Sequence, residues 1–300
     1  MICRNLNKGL KNKNLSLNNR FYSNYVQINK NRNNNFGKKL GLSFVGVSVS
    51  IFTLYLTLPT STINTSLSHT LDPFLYSKFK VSNVEQLTND TKLISIDIPK
   101  HKLPPSNKDY PYWVPSISHI WVKQPNIQVE RPYTPLEEIK PDTNTLKLLV
   151  KRYKDSEVSN YVNDLKLNDD IEIRGPNLTY DLSVKNLKRD DDLVFIVGGT
   201  GITPAYQYIK SKLNDNNCPN INLIYSTNSD SYYLSKDLES LKQSNPSKLK
   251  INHLDSDING RINLKYLRKS LGLSNNIFNW WSNDENILQN KLFIVCGNDR

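Results

Sequence analysis

A cluster of glycines marks the point where an apolar segment gives way to a helix-like one, in "LVFIVGGTGITPAYQYIK", residues 193–210. Gly198, Gly199 and Gly201 would permit a tight turn and keep Cβ atoms away from an approaching ligand. Pro204 suits the first turn of the following helix, whose N–H groups can receive negative charge. The segment therefore predicts a site for a phosphate-bearing ligand. A purely structural turn is the alternative, because the segment has neither the Lys-Ser/Thr of a P-loop nor the GxGxxG spacing.

The residues around this turn predict two domains in a defined order. Residues 79–190 contain strand-like segments separated by turn-forming residues, with one helical segment, which predicts an antiparallel barrel. In residues 191–300, strand-like and helix-like segments alternate, which predicts a parallel sheet covered by helices. The predicted fold class is therefore a β barrel followed by an α/β domain.

The positive charge of the chain is concentrated near its N-terminus. The 300 residues include 39 Lys and Arg and 28 Asp and Glu, for a net charge of +11. Residues 1–39 hold nine of the basic residues and no acidic residue, so the rest of the chain is nearly neutral. This distribution argues against nucleic-acid binding. It predicts a mitochondrial presequence, with "RFYS" at residues 20–23 resembling a processing site. An untargeted Asn- and Lys-rich tail is the alternative.

An uncharged segment, residues 40–58, follows the basic tail and ends before Pro59. As a helix it would be about 28 Å long, close to the thickness of the bilayer hydrocarbon. We therefore predict a single transmembrane anchor, whereas a secretory signal or a buried core helix fits less well. Lys38 and Lys39 precede the segment, which favours an N-terminus in the matrix and a catalytic part in the intermembrane space. Residues 59–78 are predicted to be a linker.

A metal site is not predicted from the ligand-forming residues. The sequence contains three cysteines and four histidines. The cysteines have no CxxC spacing, and the histidines, including His119, stand apart from one another. Surface or core positions are the simpler interpretation of these residues.

A second motif, "ERPYTP" at residues 130–135, stands at the end of a predicted barrel strand. Arg-Pro-Tyr-Thr, then GGTGITP, then the C-terminal "FIVCG" resembles the ferredoxin-reductase superfamily, and within it the NADH–cytochrome b5 reductases. The resemblance covers residues 79–300. It implies an FAD-dependent NAD(P)H oxidoreductase in which the flavin takes a hydride and passes electrons singly to a haem acceptor.

The resemblance also implies roles for individual residues. It places Arg131 on the FAD pyrophosphate, a role that suits the guanidinium fork. It places Tyr133 against the flavin and the Thr134 hydroxyl at the hydride-accepting nitrogen. The other implied FAD contacts are Lys151, Tyr153 and Ser159. The implied nicotinamide contacts are Gly199, Thr200, Gly201, Thr203, Cys296 and Gly297, with Thr134 and Cys296 closest to the reacting atoms.

Three positions depart from the pattern of the cytochrome b5 reductases. Asp155 and Ser156 stand where those enzymes carry Gly-Gly, and Ser231 aligns with their ribose-binding acid. The sequence ends in "CGNDR", where those enzymes have Cys-Gly-Pro-Pro and continue.

Together with the predicted leader and anchor, these departures resemble the fungal flavoproteins of mitochondrial cytochrome c import. That resemblance implies an inner-membrane protein that keeps haem reduced for attachment to cytochromes c and c1. An NADH–cytochrome b5 reductase, with cytochrome b5 as its haem partner, is one alternative. A non-catalytic flavin-binding assembly module is the other.

Overall fold

The computed structural model describes residues 2–5, 71–99, 116–140, 143–182, 187, 189–273 and 291–297. The strands are β1 (Ile2–Asn5), β2 (Ser77–Thr88), β3 (Thr91–Asp97), β4 (Ser116–Gln124), β5 (Val129–Tyr133), β6 (Thr145–Lys151), β7 (Asp170–Asp181), β8 (Asp192–Gly198), β9 (Asn220–Thr227), β10 (Leu249–Asp255) and β11 (Lys291–Gly297). The helices are α1 (Glu157–Asp164), α2 (Ile202–Lys212), α3 (Ser235–Ser244), α4 (Ser256–Asn259) and α5 (Leu264–Ser270), with 3-10 turns at Gly199–Gly201 and Ser229–Ser231.

The first domain is a six-stranded antiparallel sheet in the order β5-β4-β7-β2-β3-β6, which we call the antiparallel domain. Apolar residues alternate along its strands, so that one face of each strand enters a common core. Phe79, Ile94, Val122, Leu148 and Ile171 are almost completely buried in that core. The antiparallel arrangement predicted from the sequence is confirmed.

The antiparallel domain begins before residue 79. Leu71 is fully buried, and the Asp72 carbonyl accepts a hydrogen bond from the Gly175 amide at 2.8 Å. Strand β2 begins at Ser77. The linker predicted for residues 59–78 therefore extends too far, because Leu71 is already buried and Ser77 already belongs to β2.

The predicted presequence, apart from β1, and the predicted anchor at residues 40–58 lie outside the described residues. Among the residues that the structure describes, none of the helices combines the length and hydrophobicity that a membrane crossing requires.

The second domain is a five-stranded sheet in the order β1-β11-β8-β9-β10, which we call the α/β domain. Strands β11, β8, β9 and β10 run parallel, as predicted, whereas β1 pairs antiparallel with β11. The parallel strands are rich in Ile, Leu and Val because such sheets are covered on both faces. Their carboxyl ends meet at one edge, where Gly198 ends β8 and Gly297 ends β11.

The two domains share one apolar cluster. Ile117 and Leu149 of the antiparallel domain belong to the same buried cluster as Phe195, Ile202 and Ile209 of the α/β domain. Burial of these side chains fixes the carboxyl edge of the parallel sheet against the antiparallel sheet. The glycine turn and the Arg-Pro-Tyr-Thr motif are thereby held on facing elements.

Candidate active site

A cleft of about 520 Å³ lies where the two domains meet. Its walls include both sequence motifs, which are about 65 residues apart in the chain. Ten of the twelve residues singled out by the resemblance line the cleft: Arg131, Tyr133, Thr134, Lys151, Tyr153, Ser159, Thr200, Gly201, Thr203 and Gly297. Gly199 and Cys296 are not among the lining residues. The fold therefore brings the barrel motif and the glycine turn together at one concave surface, as ligand sites require.

Arg131 is an exposed cation at the mouth of the cleft. Pairing of β4 with β5 sets Arg131 opposite Val122, and its Nη1 donates a hydrogen bond to the Glu130 carbonyl at 2.8 Å. No described carboxylate forms an ion pair with Arg131. The neighbouring Glu130 carboxylate is instead bound by Arg174, with 3.0 Å between Nη2 and Oε1. The guanidinium can therefore meet a phosphate without first breaking an ion pair.

Tyr133 presents a partly buried, uncharged ring on the same wall. Burial raises the pKa of its phenol well above the usual value, although the charge of Arg131 acts in the opposite direction. The phenol consequently stays protonated across the physiological range. A flat neutral ring beside a free guanidinium suits the stacking of an aromatic cofactor that carries phosphates.

Lys151, at the end of β6, differs from Arg131 because its charge is paired with a carboxylate. Its Nζ lies 3.0 Å from Asp90 Oδ2. Burial alone lowers the pKa of Lys151, but the hydrogen bond to Asp90 outweighs it and raises that pKa. Because Asp90 already neutralises Lys151, this lysine contributes hydrogen bonds to the cleft more than net charge.

The turn between β6 and α1 is organised by Ser159. Its Oγ accepts a hydrogen bond from the Tyr153 amide at 3.0 Å and donates one to the Ser156 carbonyl at 3.1 Å. The residue is 3 % exposed, and its single hydroxyl proton is engaged within the turn. Ser159 therefore lines the cleft, but both hydrogen bonds of its hydroxyl group stabilise the turn.

Ser156 occupies the N-cap of α1 at the same wall. Its Oγ accepts a hydrogen bond from the Ser159 amide at 3.4 Å, which leaves its own hydroxyl proton available to the cleft. Asp155, beside it, also lines the cleft and is exposed. The departure from Gly-Gly seen in the sequence thus introduces a hydroxyl and a carboxylate at the wall.

The glycine turn forms the opposite wall. Gly198 ends β8, Gly199 adopts a φ of +53°, and Gly201 precedes α2. A Cβ at position 201 would lie 2.8 Å from the carbonyl carbon of Cys296 and 3.0 Å from the Gly297 Cα. Glycine is required at position 201 because the turn that follows β8 lies against the end of β11 there. The turn presents main chain and the small side chains of Thr200 and Thr203 to the cleft.

The side chain of Cys296 faces the core, and its carbonyl group lies beside Gly201 in the glycine turn. Along β11 the buried residues are Leu292, Ile294 and Cys296, and Cys296 is only 2 % exposed. Strand alternation therefore directs the thiol under the sheet edge, away from the cleft wall. This placement differs from the reacting position that the resemblance implied for Cys296.

Several cleft residues were not predicted, namely His119, Trp121, Leu149, Leu178 and Thr179. His119 and Trp121 share a face of β4, with ring centroids 5.4 Å apart, and His119 Nδ1 lies 2.7 Å from the Thr179 hydroxyl. Burial, and secondarily the charge of Arg174, lower the pKa of His119 to about 4. The imidazole is therefore neutral at physiological pH. The pairing of β4 with the Arg-Pro-Tyr-Thr strand is the signal that would have identified His119 and Trp121.

The predicted ribose-binding position lies at the end of β9. Ser231 is 9 % exposed within its 3-10 turn, and the adjacent Asp230 is exposed. Neither residue lines the cleft described above.

Comparison with known proteins agrees with the two-domain architecture. Residues 78–181 match the oxidoreductase FAD-binding domain, and residues 195–300 match the oxidoreductase NAD-binding domain. An uncharacterized FAD-binding protein of Schizosaccharomyces pombe is 36% identical over 141 residues, 47% of this chain and 48% of that protein. The NADH-cytochrome b5 reductase 2-A of Vanderwaltozyma polyspora is 30% identical over 175 residues, 58% of this chain and 56% of that protein. The chain thus spans about half the length of these two relatives.

A solved structure shares the fold. The cytochrome b5 reductase domain of Ulva prolifera nitrate reductase superposes with a TM-score of 0.56 at 20% identity, covering 76% of this chain and 89% of that one. With its FAD-binding and NAD-binding domains in this order, the chain belongs to the ferredoxin-reductase superfamily. Among its relatives, NADH-cytochrome b5 reductases are similar at 28–30% identity over 58–66% of this chain.

Proposed function

We propose that this chain is an FAD-dependent NAD(P)H oxidoreductase that passes electrons through flavin to a haem acceptor. The observation that carries the proposal is the single cleft that Arg131–Thr134 and the glycine turn line from opposite sides. Bound FAD would supply the redox chemistry, taking a hydride from the nicotinamide and releasing electrons singly. The residues of this chain bind and orient the two cofactors.

The antiparallel wall fits FAD. Arg131 offers a guanidinium that no described carboxylate neutralises, and Tyr133 offers a flat, protonated ring beside it. Thr134 follows directly and would place its hydroxyl at the flavin. Tyr153, held through its amide by Ser159, and Lys151 would complete this part of the site.

The glycine wall fits the nicotinamide dinucleotide. Main chain at Gly198–Gly201 permits close approach, and the first N–H groups of α2 can face the pyrophosphate. Thr200 and Thr203 are 6 % and 3 % exposed, so neighbouring atoms hold these two side chains in place before a ligand binds. Hydride transfer needs the two rings in contact, and positioning by two walls of one cleft supplies that proximity.

The proposed setting is the mitochondrial inner membrane, with the catalytic domains in the intermembrane space. The acid-free basic segment 1–39 and the uncharged segment 40–58 support this location. The pairing of β1 with β11 counts against it, because an anchor at residues 40–58 would separate these two strands. In that compartment the flavin would keep haem reduced for the maturation of cytochromes c and c1.

Two other functions have specific support. Relatives of the NADH–cytochrome b5 reductase type favour cytochrome b5 as the acceptor. The buried thiol of Cys296, which does not line the cleft, favours a flavin-binding assembly module without turnover.

The colour and redox response of the full chain, purified in detergent, test these alternatives. A yellow protein that NADH or NADPH bleaches under anaerobic conditions is the expected result. A yellow protein that neither nucleotide bleaches would indicate a flavin-binding scaffold, and a folded but colourless protein would overturn the flavin proposal. Ferric haem with apocytochrome c, compared with cytochrome b5, then identifies the preferred acceptor.

Protease protection tests the location. In mitochondria from cells that express the full chain, the C-terminal domains should resist protease until the outer membrane is ruptured. Digestion in intact mitochondria, or resistance after rupture, would contradict the proposed orientation.

A further inference from the structure

Gln207 is a fully buried polar residue in the middle of α2. It is 0 % exposed, and each end of its amide has a partner. Its Oε1 accepts a hydrogen bond from the Ser118 amide at 2.9 Å, and its Nε2 donates one to the Pro135 carbonyl at 3.0 Å. Buried amides are seldom retained unless such bonds compensate for the lost water.

The partners of Gln207, which include the Glu137 carbonyl at 3.5 Å from Nε2, all belong to the other domain. Ser118 precedes the cleft residue His119 in β4, and Pro135 directly follows Thr134 at the end of the Arg-Pro-Tyr-Thr segment. They lie 89 and 72 residues from Gln207 in the chain. One side chain thus fixes two separate segments of the antiparallel wall.

Gln207 also belongs to the helix that carries the glycine wall. It stands four residues after Thr203, so the two side chains lie on the same face of α2, one turn apart. Thr203 lines the cleft, and the helix begins next to Gly201. A shift of the Gln207 amide would therefore change the separation between Thr134 and the glycine turn.

We propose that Gln207 is a positioning residue that sets the distance between the flavin-binding and nicotinamide-binding walls. This inference rests on the proposed oxidoreductase function. Its action is on geometry: Gln207 does not line the cleft, and it holds Pro135 and Ser118 so that hydride transfer occurs at the correct separation.

A second interdomain hydrogen bond provides a matched control. The Thr91 and Tyr233 hydroxyls lie 2.8 Å apart in a buried contact between the domains. Neither residue lines the cleft, although Thr91 lies opposite the cleft residue Lys151 in the pairing of β3 with β6. Tyr233→Phe removes this bond while it preserves the ring, so it reports the effect of a weakened domain contact that does not involve Gln207.

The test uses the full chain in detergent and measures the FAD dissociation constant, the thermal midpoint and the limiting rate of flavin bleaching by saturating NAD(P)H. Gln207→Met, which keeps the volume but loses both hydrogen bonds, should lower the limiting rate at least roughly tenfold. Its FAD affinity and thermal midpoint should match those of Tyr233→Phe, which should retain the wild-type rate. Gln207→Glu, which keeps the acceptor oxygen but loses the amide donor to Pro135, should also be slow.

Each other outcome contradicts a defined claim. If Gln207→Met bleaches at the wild-type rate, or slows only as much as Tyr233→Phe, the positioning role is wrong. If neither Gln207 variant folds with FAD bound, Gln207 is structural and the inference is overturned. If the wild-type protein binds FAD but is not bleached, the proposed oxidoreductase function fails first, and the positioning role fails with it.

Discussion

The two walls of the cleft recognise ligands by different means. The antiparallel wall presents functional side chains, among them Arg131, Tyr133 and Lys151, whereas the glycine wall presents main chain and two small threonines. No charged side chain of the α/β domain is among the described residues that line the cleft. Side-chain recognition can be lost by truncation. Main-chain recognition can be lost only by adding atoms or moving the backbone, so substitutions on the two walls should fail in different ways.

The largest effect is expected from enlarging the glycine wall. Gly201→Ala would force a Cβ to within 2.8 Å of the Cys296 carbonyl carbon. We expect the free energy of unfolding to fall by about 3 kcal/mol, as for severe overpacking. Gly198→Ala is the control, because a Cβ there meets nothing within 4 Å and the backbone is extended. Equal stability of the two variants in denaturant unfolding would show that the close approach at Gly201 is not required.

Truncation of a side chain on the antiparallel wall should instead weaken FAD binding while the protein stays folded. Arg131→Ala deletes a guanidinium that no described carboxylate neutralises, and we expect the FAD dissociation constant to rise roughly 10- to 100-fold, as for a lost charge-assisted hydrogen bond. Arg152→Ala is the control, since Arg152 pairs with Asp164 and does not line the cleft. Fluorescence titration with FAD measures both variants. If Arg131→Ala binds FAD as tightly as the wild type does, the guanidinium does not contribute to FAD binding, and the proposed electrostatic difference between the two walls is wrong.

The antiparallel wall should also be the more sensitive to acid. Burial lowers the pKa of His119 from 6.5 to about 4, so below pH 6.5 the unfolded chain binds a proton that the folded chain excludes. Stability from this group is complete above pH 6.5 and is lost as the pH falls towards 4. We expect wild-type protein to lose about 2 kcal/mol more than His119→Gln across that window. Parallel pH profiles for the two proteins would contradict the buried, neutral imidazole.

A smaller effect should distinguish the cap role of Ser156 from ligand binding. Aspartate is as good an N-cap as serine, so Ser156→Asp should keep α1 intact. Its carboxylate would repel a phosphate at the wall, and we expect roughly tenfold weaker FAD binding. Ser156→Thr keeps the cap and the hydroxyl and should bind FAD normally. If Ser156→Asp and Ser156→Thr bind FAD with the same affinity, the FAD pyrophosphate does not lie beside Ser156.

Local chain chemistry explains what could be predicted from the sequence. The two-residue period of the strands, the alternation of strand and helix after residue 191, and the glycine turn depend on neighbouring residues, and they agree with the structure. The convergence of Arg131 with Gly201 came from the order of motifs, and the structure places both at one cleft.

The remaining features depend on contacts that sequence neighbours do not encode. Gln207 looks like an ordinary helix residue until the fold places Ser118 and Pro135 beside it. Whether Ser159 donates to a ligand or to its own turn depends on the position of one carbonyl. The burial of the Cys296 thiol is similar, because residues 292–296 are all apolar and only the structure shows that Leu292, Ile294 and Cys296 share the buried face.

Anaerobic rapid mixing of the FAD-loaded full chain with NADH and NADPH tests the central claim most directly. If the two walls hold the rings in contact, the bleaching rate should saturate with nucleotide and should fall when the transferred hydrogen is deuterium. Flavin that stays oxidised at every concentration of both nucleotides would contradict the claim that this cleft unites the two cofactors.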